Sequence, residues 1–336
     1  IRGKAFVIAT GTRDFIPLIP GLDRVKYAGW KDALRFARQP KSMAIVGGGP
    51  VGCELATFYA SIGTRVVVLQ SAPYILHRED EELSSMAKMS LEQLHVAVVT
   101  NAHIREIING GSGVFGIDVE ANGEQQMHAV DQLVLAAGKR PNIEGLGLDK
   151  TGVQVDERGW IITNREQQTS QSSLFTAGDI DGGLQFTHTA HHEGAVAGFN
   201  AACVAKKKKL PRRSIQERVV PRVTFLAPEV ASVGMTQKEA TTAYKQVIVG
   251  RAYVTELGRA VTDGVDMGMC KLIAHPKTRK VIGAHMIGER AGEVIHECAL
   301  AIHLGATVDK LATLIHAYPT FSEVVVLAAS RANIES

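Results

Sequence analysis

The chain has 336 residues, 45% hydrophobic and 21% charged, with a formal net charge of +3. That length suggests two or three domains with ample chain for sizeable cores, and the composition is that of a globular protein. The small net charge argues against nucleic acid. With no apolar stretch long enough to span a bilayer and no secretory signal, no membrane partner is expected either.

In chain order, Lys4–Ala9 reads as an apolar strand running into the small-residue turn Thr10-Gly11-Thr12. Met43-Ala44-Ile45-Val46 then leads into Gly47-Gly48-Gly49-Pro50-Val51-Gly52, a G-x-G-x-x-G opening a helix. Gly47 allows the tight turn, Gly49 lets backbone approach a pyrophosphate, and Gly52 lets helix and strand lie close, with free N–H groups at the helix start facing the phosphate. Val51, Leu55, Phe58 and Ile62 predict that helix's apolar face, Gly63 its C-terminal cap, and Arg65–Leu69 a second strand. The second strand ends at Gln70, where NAD-binding sites carry an acid that holds the ribose 2′-hydroxyl. Gln70 can bond a hydroxyl without repelling a phosphate, and His77 or Arg78 lies close in sequence, so the reading leans to NADP. Arg78 precedes Glu79-Asp80-Glu81-Glu82, which also reads as a solvated helix start.

A strand near Val96–Thr100, a meander around Gly110-Gly111 and a strand over Leu133–Gly138 complete the nucleotide unit. The Ala-Ala-Gly ending of that last strand repeats the Ala-Thr-Gly ending of the first, which suggests two related nucleotide domains, one mostly missing. Val153–Val155 and Trp160–Ile162 flank an Asp156–Gly159 turn, and Leu174–Asp179 ends the third segment. The basic run Lys206–Lys209, with Arg212 and Arg213, lacks interleaved aromatics and reads as a linker. Beyond Pro211 come antiparallel strands within Val219–Val233 and Cys270–Gly288, a Pro276–Arg279 hairpin turn, and helices over Gly292–Leu304 and Val308–Ile315. The four cysteines are widely spaced, with no redox dithiol or zinc pattern among them, and point to a reducing, cytoplasmic setting. Cys53 stands in the first turn of the phosphate-facing helix, a place that can lower a thiol pKa, although a packing role is the alternative. His188 and His192 share a helical face, but no third metal ligand is evident.

Six motifs follow in order: Ala9-Thr10-Gly11, Gly47 to Glu54, Ala137-Gly138 with Arg140-Pro141-Asn142, Ala177-Gly178-Asp179, Pro228 to Gly234, and His316 to Glu323. In these the chain resembles the pyridine nucleotide-disulfide oxidoreductases, flavoproteins that include dihydrolipoamide dehydrogenase, glutathione reductase and mercuric reductase. The resemblance implies an α/β fold: the end of a FAD-domain segment (1–39), a Rossmann-like NAD(P)-binding domain (40–144), a second FAD-domain segment (145–210) and an α+β dimerisation domain (211–336). It implies FAD and NAD(P) as cofactors and a homodimer. The family's FAD fingerprint and C-x4-C redox pair would both lie upstream of Ile1, so the chain reads as N-terminally truncated.

The resemblance also assigns roles. Glu54 stands near the nicotinamide–flavin contact, and Gly138 approaches the nicotinamide nucleotide, with Lys139 where many members have Arg. Asp179, beside Gly178, binds the FAD ribityl chain; Thr10, Gly11 and the stretch around Ala190 line the flavin. In His316-Ala317-Tyr318-Pro319-Thr320-Phe321-Ser322-Glu323, the disulfide reductases have H-x-H-P-x-x-x-E, so Glu323 matches the acid while Tyr318 replaces the catalytic His. A phenol is a poor base at neutral pH but can donate a proton. Mercuric reductases also carry Tyr here, and Leu76–Asp80 is similar to that branch. The expectation is therefore a mercuric-reductase-like enzyme acting on a metal ion or related acceptor. Open alternatives are a small-disulfide reductase and a non-catalytic nucleotide-binding module. His316 remains a second candidate, and Thr320–Glu323 also reads as a helix capping box.

Overall fold

The computed structural model describes residues 2–111, 113–208, 210–215 and 219–335. Lys209, part of the predicted basic linker, lies outside them. The chain forms two compact units, each built from two stretches: residues 1–15 with 138–218, and residues 16–137 with 219–336. The nucleotide segment and the C-terminal block thus share one unit, although composition alone separates them at the linker. No helix among the described residues is long and apolar enough to cross a membrane.

In the first unit, strands Phe6–Ile8 and Leu174–Thr176 pair in parallel, and Thr12–Asp14 pairs antiparallel with Lys139–Pro141. The helix Thr187–Ala205 covers the parallel pair, and Phe175, Ala177, Ala197 and Ala201 form the core between them. The expected Asp156–Gly159 turn is present. The Asp156 carboxylate accepts from the N–H groups of Arg158 and Trp160 at 2.9 Å each, which closes the turn and sets the Val155–Ile161 bridge.

The second unit centres on a five-stranded parallel sheet in the order Ala28–Gly29, Gln132–Leu135, Ser42–Val46, Arg65–Leu69, Ala97–Val99. Its central strands are near-continuous apolar runs because both faces are covered: helices pack against Met43, Ile45, Val66 and Val68 on one, and the antiparallel strands that follow in the chain against Ala44, Val46, Val67 and Leu69 on the other. A three-stranded meander, Ala102–Asn109, Phe115–Ala121 and Glu124–Val130, follows in the chain. The C-terminal block is a six-stranded antiparallel sheet in the order Arg222–Thr224, Glu229–Gly234, Val281–Gly288, Met269–Ala274, Val247–Tyr253, Asn333–Glu335. Helices Ala291–Leu304 and Glu323–Ser330 pack on it, and Gly305 at φ +66° ends the first of them as its sequence position predicts. The α/β class and the parallel-plus-antiparallel architecture are those the sequence led us to expect.

Two local expectations are corrected. In the helix Pro50–Ser61, Phe58 and the following Ile62 are exposed, while Gly52, Cys53, Ala56 and Tyr59 are buried beside Leu55. The close approach of helix to strand at Gly52 sets the buried face along Gly52, Cys53, Leu55, Ala56 and Tyr59, which leaves Phe58 and Ile62 outside it. The helix expected over Val308–Ile315 stops at Ala312.

Candidate functional site

The glycine turn is built by backbone geometry. Gly47 sits at φ +113°, and its N–H donates to the Leu69 carbonyl at 2.9 Å. A Cβ on Gly52 would lie 1.9 Å from the Gly47 oxygen, so only glycine permits this approach of helix to strand. Gly49 caps the helix in an extended conformation, Pro50 is its first residue, and a Cβ on Gly49 would meet nothing within 4 Å. The helix start therefore offers unencumbered backbone N–H groups at a positive dipole end, beside a glycine whose missing side chain leaves an open approach. That arrangement fits a pyrophosphate, and with it NAD(P).

Gln70 is placed differently from the expectation of a ribose contact. It is buried; its Oε1 accepts from the Gly48 N–H at 2.8 Å and its Nε2 donates to the Tyr74 carbonyl at 3.3 Å. The Leu76 N–H donates to the Gly48 carbonyl at 2.7 Å, so both polar groups of the Gly48 peptide are held by the loop after the second strand. Leu76 takes φ +45°, a costly conformation for leucine of about 1 kcal/mol or more, held because its carbonyl also accepts from Glu79 N–H and Ser84 Oγ. Ser71, His77 and Arg78 remain exposed along this loop.

On the same helix Val51 is half-buried. Burial raises the Glu54 carboxyl above its ordinary range, against the lowering effect of the Phe225 N–H that it accepts at 3.0 Å. Cys53 is fully buried, and burial together with the charge of Glu54 pushes its thiol up to about 12. This is opposite to the activation its helix-start position suggests, because desolvation outweighs the dipole.

The acidic run Glu79–Glu82 is corrected as well: each member is ion-paired. Glu79 takes Arg222 in a two-pronged pair at 2.7 and 3.0 Å. Asp80, 3% exposed, caps the helix Glu81–Gln93 and pairs with Lys271 at 2.8 Å, itself 2% exposed. Glu81 pairs with Lys238, and Glu82 with Lys271 and Arg251. Burial works against ionising Glu82, yet hydrogen bonds and charges from Arg251 and Lys271 hold its carboxyl down to about 2. The sequence signal for these pairs was a lysine in the middle of the buried strand Met-Cys-Lys-Leu-Ile-Ala, since a charge there requires a partner.

At the C-terminal motif, Tyr318 is 77% exposed and lies over Gly258, where a Cβ would meet its hydroxyl at 2.5 Å. Glu323 is the first residue of its helix and accepts from the Thr320 N–H at 3.0 Å, while the Thr320 hydroxyl donates to the Ala317 carbonyl. Only half of the expected capping box therefore forms. His316 pairs with Glu297, Nε2 to carboxylate at 3.0 and 3.2 Å, which ties this loop to the helix Ala291–Leu304.

In the other unit, Lys139 Nζ donates to Asp179 Oδ2 at 2.8 Å and Thr12 Oγ1 to the same oxygen at 3.3 Å. Among the described residues Asp179 Oδ1 takes no bond, which leaves an acceptor for a polyol hydroxyl. Gly178 stands at φ +78°, where a Cβ would come 3.1 Å from that of Ala190, and its N–H donates to Glu193 at 2.6 Å. Gly11 and Gly138, at φ +65° and +117°, have open space where a Cβ would be. The Gly138 carbonyl accepts from Phe15 N–H, and Thr10 Oγ1 donates to the Asn142 carbonyl at 2.7 Å. This open, glycine-rich surface with one free carboxylate oxygen fits part of a flavin nucleotide. His188 stacks on Phe186 at 5.3 Å.

Comparison with known proteins agrees with this geometry. The family model described as pyridine nucleotide-disulphide oxidoreductase matches residues 1–194, and the family's dimerisation-domain model matches residues 220–329. The chain is 33% identical over 329 residues to a mercuric reductase of Staphylococcus aureus, covering 98% of this chain and 59% of that protein. It is 37% identical over 332 residues to a dihydrolipoyl dehydrogenase of Chlorobaculum tepidum, covering 98% of this chain and 69% of that one. Among solved structures, the Cu(II) complex of the HOCl-induced flavoprotein disulfide reductase RclA from Escherichia coli superposes with a TM-score of 0.85 at 26% identity, covering 98% of this chain and 72% of that one. The chain belongs to the pyridine nucleotide-disulphide oxidoreductases, flavoproteins whose cofactors are FAD and NAD(P)H.

Proposed function

We propose that this chain supplies the NAD(P)H site, part of the FAD site and the acceptor-side tyrosine of a mercuric-reductase-like flavoenzyme acting on a metal ion or related acceptor. The observation that carries the proposal is the glycine turn at 47–52, where a Cβ would be blocked at Gly47, Gly48 and Gly52 and would meet open space at Gly49. FAD, when bound, supplies a two-electron relay between the nicotinamide and the acceptor. Gly11, Gly138, Gly178 and Asp179 would hold part of it, with Thr10 and Ala190 shaping the surface. Glu54 would stand at the nicotinamide end of the dinucleotide. We take the redox dithiol to lie outside these 336 residues, because the four cysteines here are free and buried.

The choice of acceptor rests on Tyr318. An exposed phenol donates a proton to a departing thiolate but does not take one at neutral pH, which suits metal-ion reduction better than dithiol exchange. We assign Tyr318 as the proton donor, Glu323 as the residue that holds the Thr320 turn beneath it, and His316 as the anchor of its loop. A homodimer through the C-terminal block, with Tyr318 reaching the partner's flavin, completes the reading. NADPH is the preferred donor in this reading, since no carboxylate at position 70 repels a 2′-phosphate and His77 and Arg78 are exposed nearby. A dihydrolipoyl-dehydrogenase-like activity is the second reading, favoured by the 37% identity to that relative.

The test is anaerobic mixing of the full natural protein with NADPH or NADH, followed by steady-state assays with Hg(II), Cu(II), lipoamide and glutathione disulfide. Bleaching of the flavin and turnover with a metal ion are expected. A flavin that stays oxidised overturns the proposal, and turnover with lipoamide alone replaces it with the second reading. NADPH binding by a flavin-free 336-residue chain would leave only a nucleotide-binding module.

A further inference from the structure

A buried lysine of the antiparallel sheet is connected to the glycine turn by an unbroken series of contacts within one compact unit. Lys271 Nζ lies 2.8 Å from Asp80 Oδ1 and 2.7 Å from Glu82 Oε1. Asp80 Oδ1 also accepts from the Glu82 N–H, and its Oδ2 from the Gln237 N–H of the antiparallel-sheet domain, at 3.2 Å each. One residue earlier, Glu79 is gripped by Arg222 through its side chain and donates its N–H to the Leu76 carbonyl at 2.7 Å. Leu76 in turn donates to Gly48. Around this path the two domains share one apolar core, in which Val230, Met269 and Ile287 of the antiparallel sheet pack with Ile45, Cys53, Leu55 and Leu83.

We infer that Lys271, seated on Asp80 and Glu82, is a positioning residue for the dinucleotide, acting from the antiparallel-sheet domain through the 74–80 loop on the Gly48 peptide. The inference rests on the reading of Gly47–Gly52 as the NAD(P)H site. Energetic coupling travels through such contiguous hydrogen-bonded and packed contacts, and it is established only by a perturbation read at the far end. Lys271 touches no part of the glycine turn itself. Its effect is to hold the start of the helix Glu81–Gln93, so that the loop before it presents the Leu76 N–H to Gly48 and the Tyr74 carbonyl to Gln70. Without the lysine, Asp80 is a buried carboxylate lacking its cation, the helix start moves toward water, and the clamp on Gly48 loosens.

Two measurements on Lys271→Met test this: NADPH and NADH dissociation constants by nicotinamide fluorescence, and hydrogen exchange at the Gly48 and Leu76 amides without ligand. We expect the dissociation constants to rise about fivefold or more, the lower end of coupling between separate sites. Exchange should quicken at both amides, with the meander over residues 102–130 unchanged. A merely structural lysine would lower the melting temperature and leave these readouts alone. Asp80→Asn keeps one acceptor oxygen for the helix cap and removes the charge together with one acceptor, so it serves as the second perturbation of the same path if Lys271→Met fails to fold. Lys238→Ala, which removes the exposed pair with Glu81, serves as the control and should bind as wild type. Wild-type affinity in both core variants overturns the inference and leaves the site reading intact. If the wild type binds neither dinucleotide, the site reading fails, and unchanged exchange at Gly48 and Leu76 then overturns the linkage separately.

Discussion

Two glycines three residues apart make a paired test of the nucleotide site, because one is required by the protein and the other by the ligand. In Gly52→Ala the new methyl would stand 1.9 Å from the Gly47 oxygen, whereas real Cβ contacts essentially never fall under 3.0 Å. The helix must retreat by about an ångström, and Gly47, already at φ +113°, has no easy way to yield. Overpacking of this kind costs about 3 kcal/mol. At about 2–4 °C per kcal/mol for a domain of this size, the melting temperature should fall by about 6–12 °C. In Gly49→Ala the methyl meets no protein atom within 4 Å, and the residue's extended backbone suits alanine, so the melting temperature should move by less than about 2 °C. In the proposed site that methyl would occupy the approach of the pyrophosphate, and NAD(P)H affinity should drop about tenfold, near 1.4 kcal/mol. Differential scanning calorimetry and nicotinamide fluorescence titration read the two quantities independently. Gly49→Ala binding NADPH as tightly as the wild type would refute the placement of the phosphate on this turn.

Three further outcomes are expected. Tyr318→Phe should lower turnover with Hg(II) by about 10²-fold while the rate of flavin reduction by NADPH stays the same, and stopped-flow traces losing both rates equally would remove Tyr318 from the acceptor side. Glu82, held down to about 2 when folded against an ordinary 4.5, stabilises the protein fully above about pH 4.5 and loses that contribution as pH falls toward 2. Its carboxylate is partly solvated, which discounts the effect to about 1–2 kcal/mol; melting curves of wild type and Glu82→Gln should converge over that window, and parallel curves would contradict the pairing. The four cysteines are buried and free, with burial raising the thiols of Cys53, Cys270 and Cys298, so a thiol reagent should label the native 336-residue chain negligibly and all four after unfolding. Rapid native labelling of Cys53 would contradict its burial.

Features that depend on near neighbours were legible in the amino-acid order. The fingerprint at 47–52, the apolar strands around it, the glycine cap at 305 and the hairpin between Cys270 and Gly288 follow from local sterics and from runs of residues that must leave water. Tyr318 could be singled out beside Glu323 because its motif is contiguous. Contacts across long stretches of chain were not legible. Periodicity selected Phe58 and Ile62 as core, but the close seat of the helix on its strand put Cys53 and Ala56 there instead. The acids Glu79, Asp80 and Glu82 carry no mark of being paired until Arg222, Lys271 and Arg251 arrive from the antiparallel sheet, and Asp80 and Lys271 are 191 residues apart. Gln70 looks like a ribose ligand by position and becomes a loop clamp because the Gly48 N–H points at it. Sequence by itself determined which backbone segments could form and where a phosphate could approach. Tertiary structure decided which charges are satisfied and by whom, because a buried ion is tolerated only where a distant part of the chain brings its counter-ion.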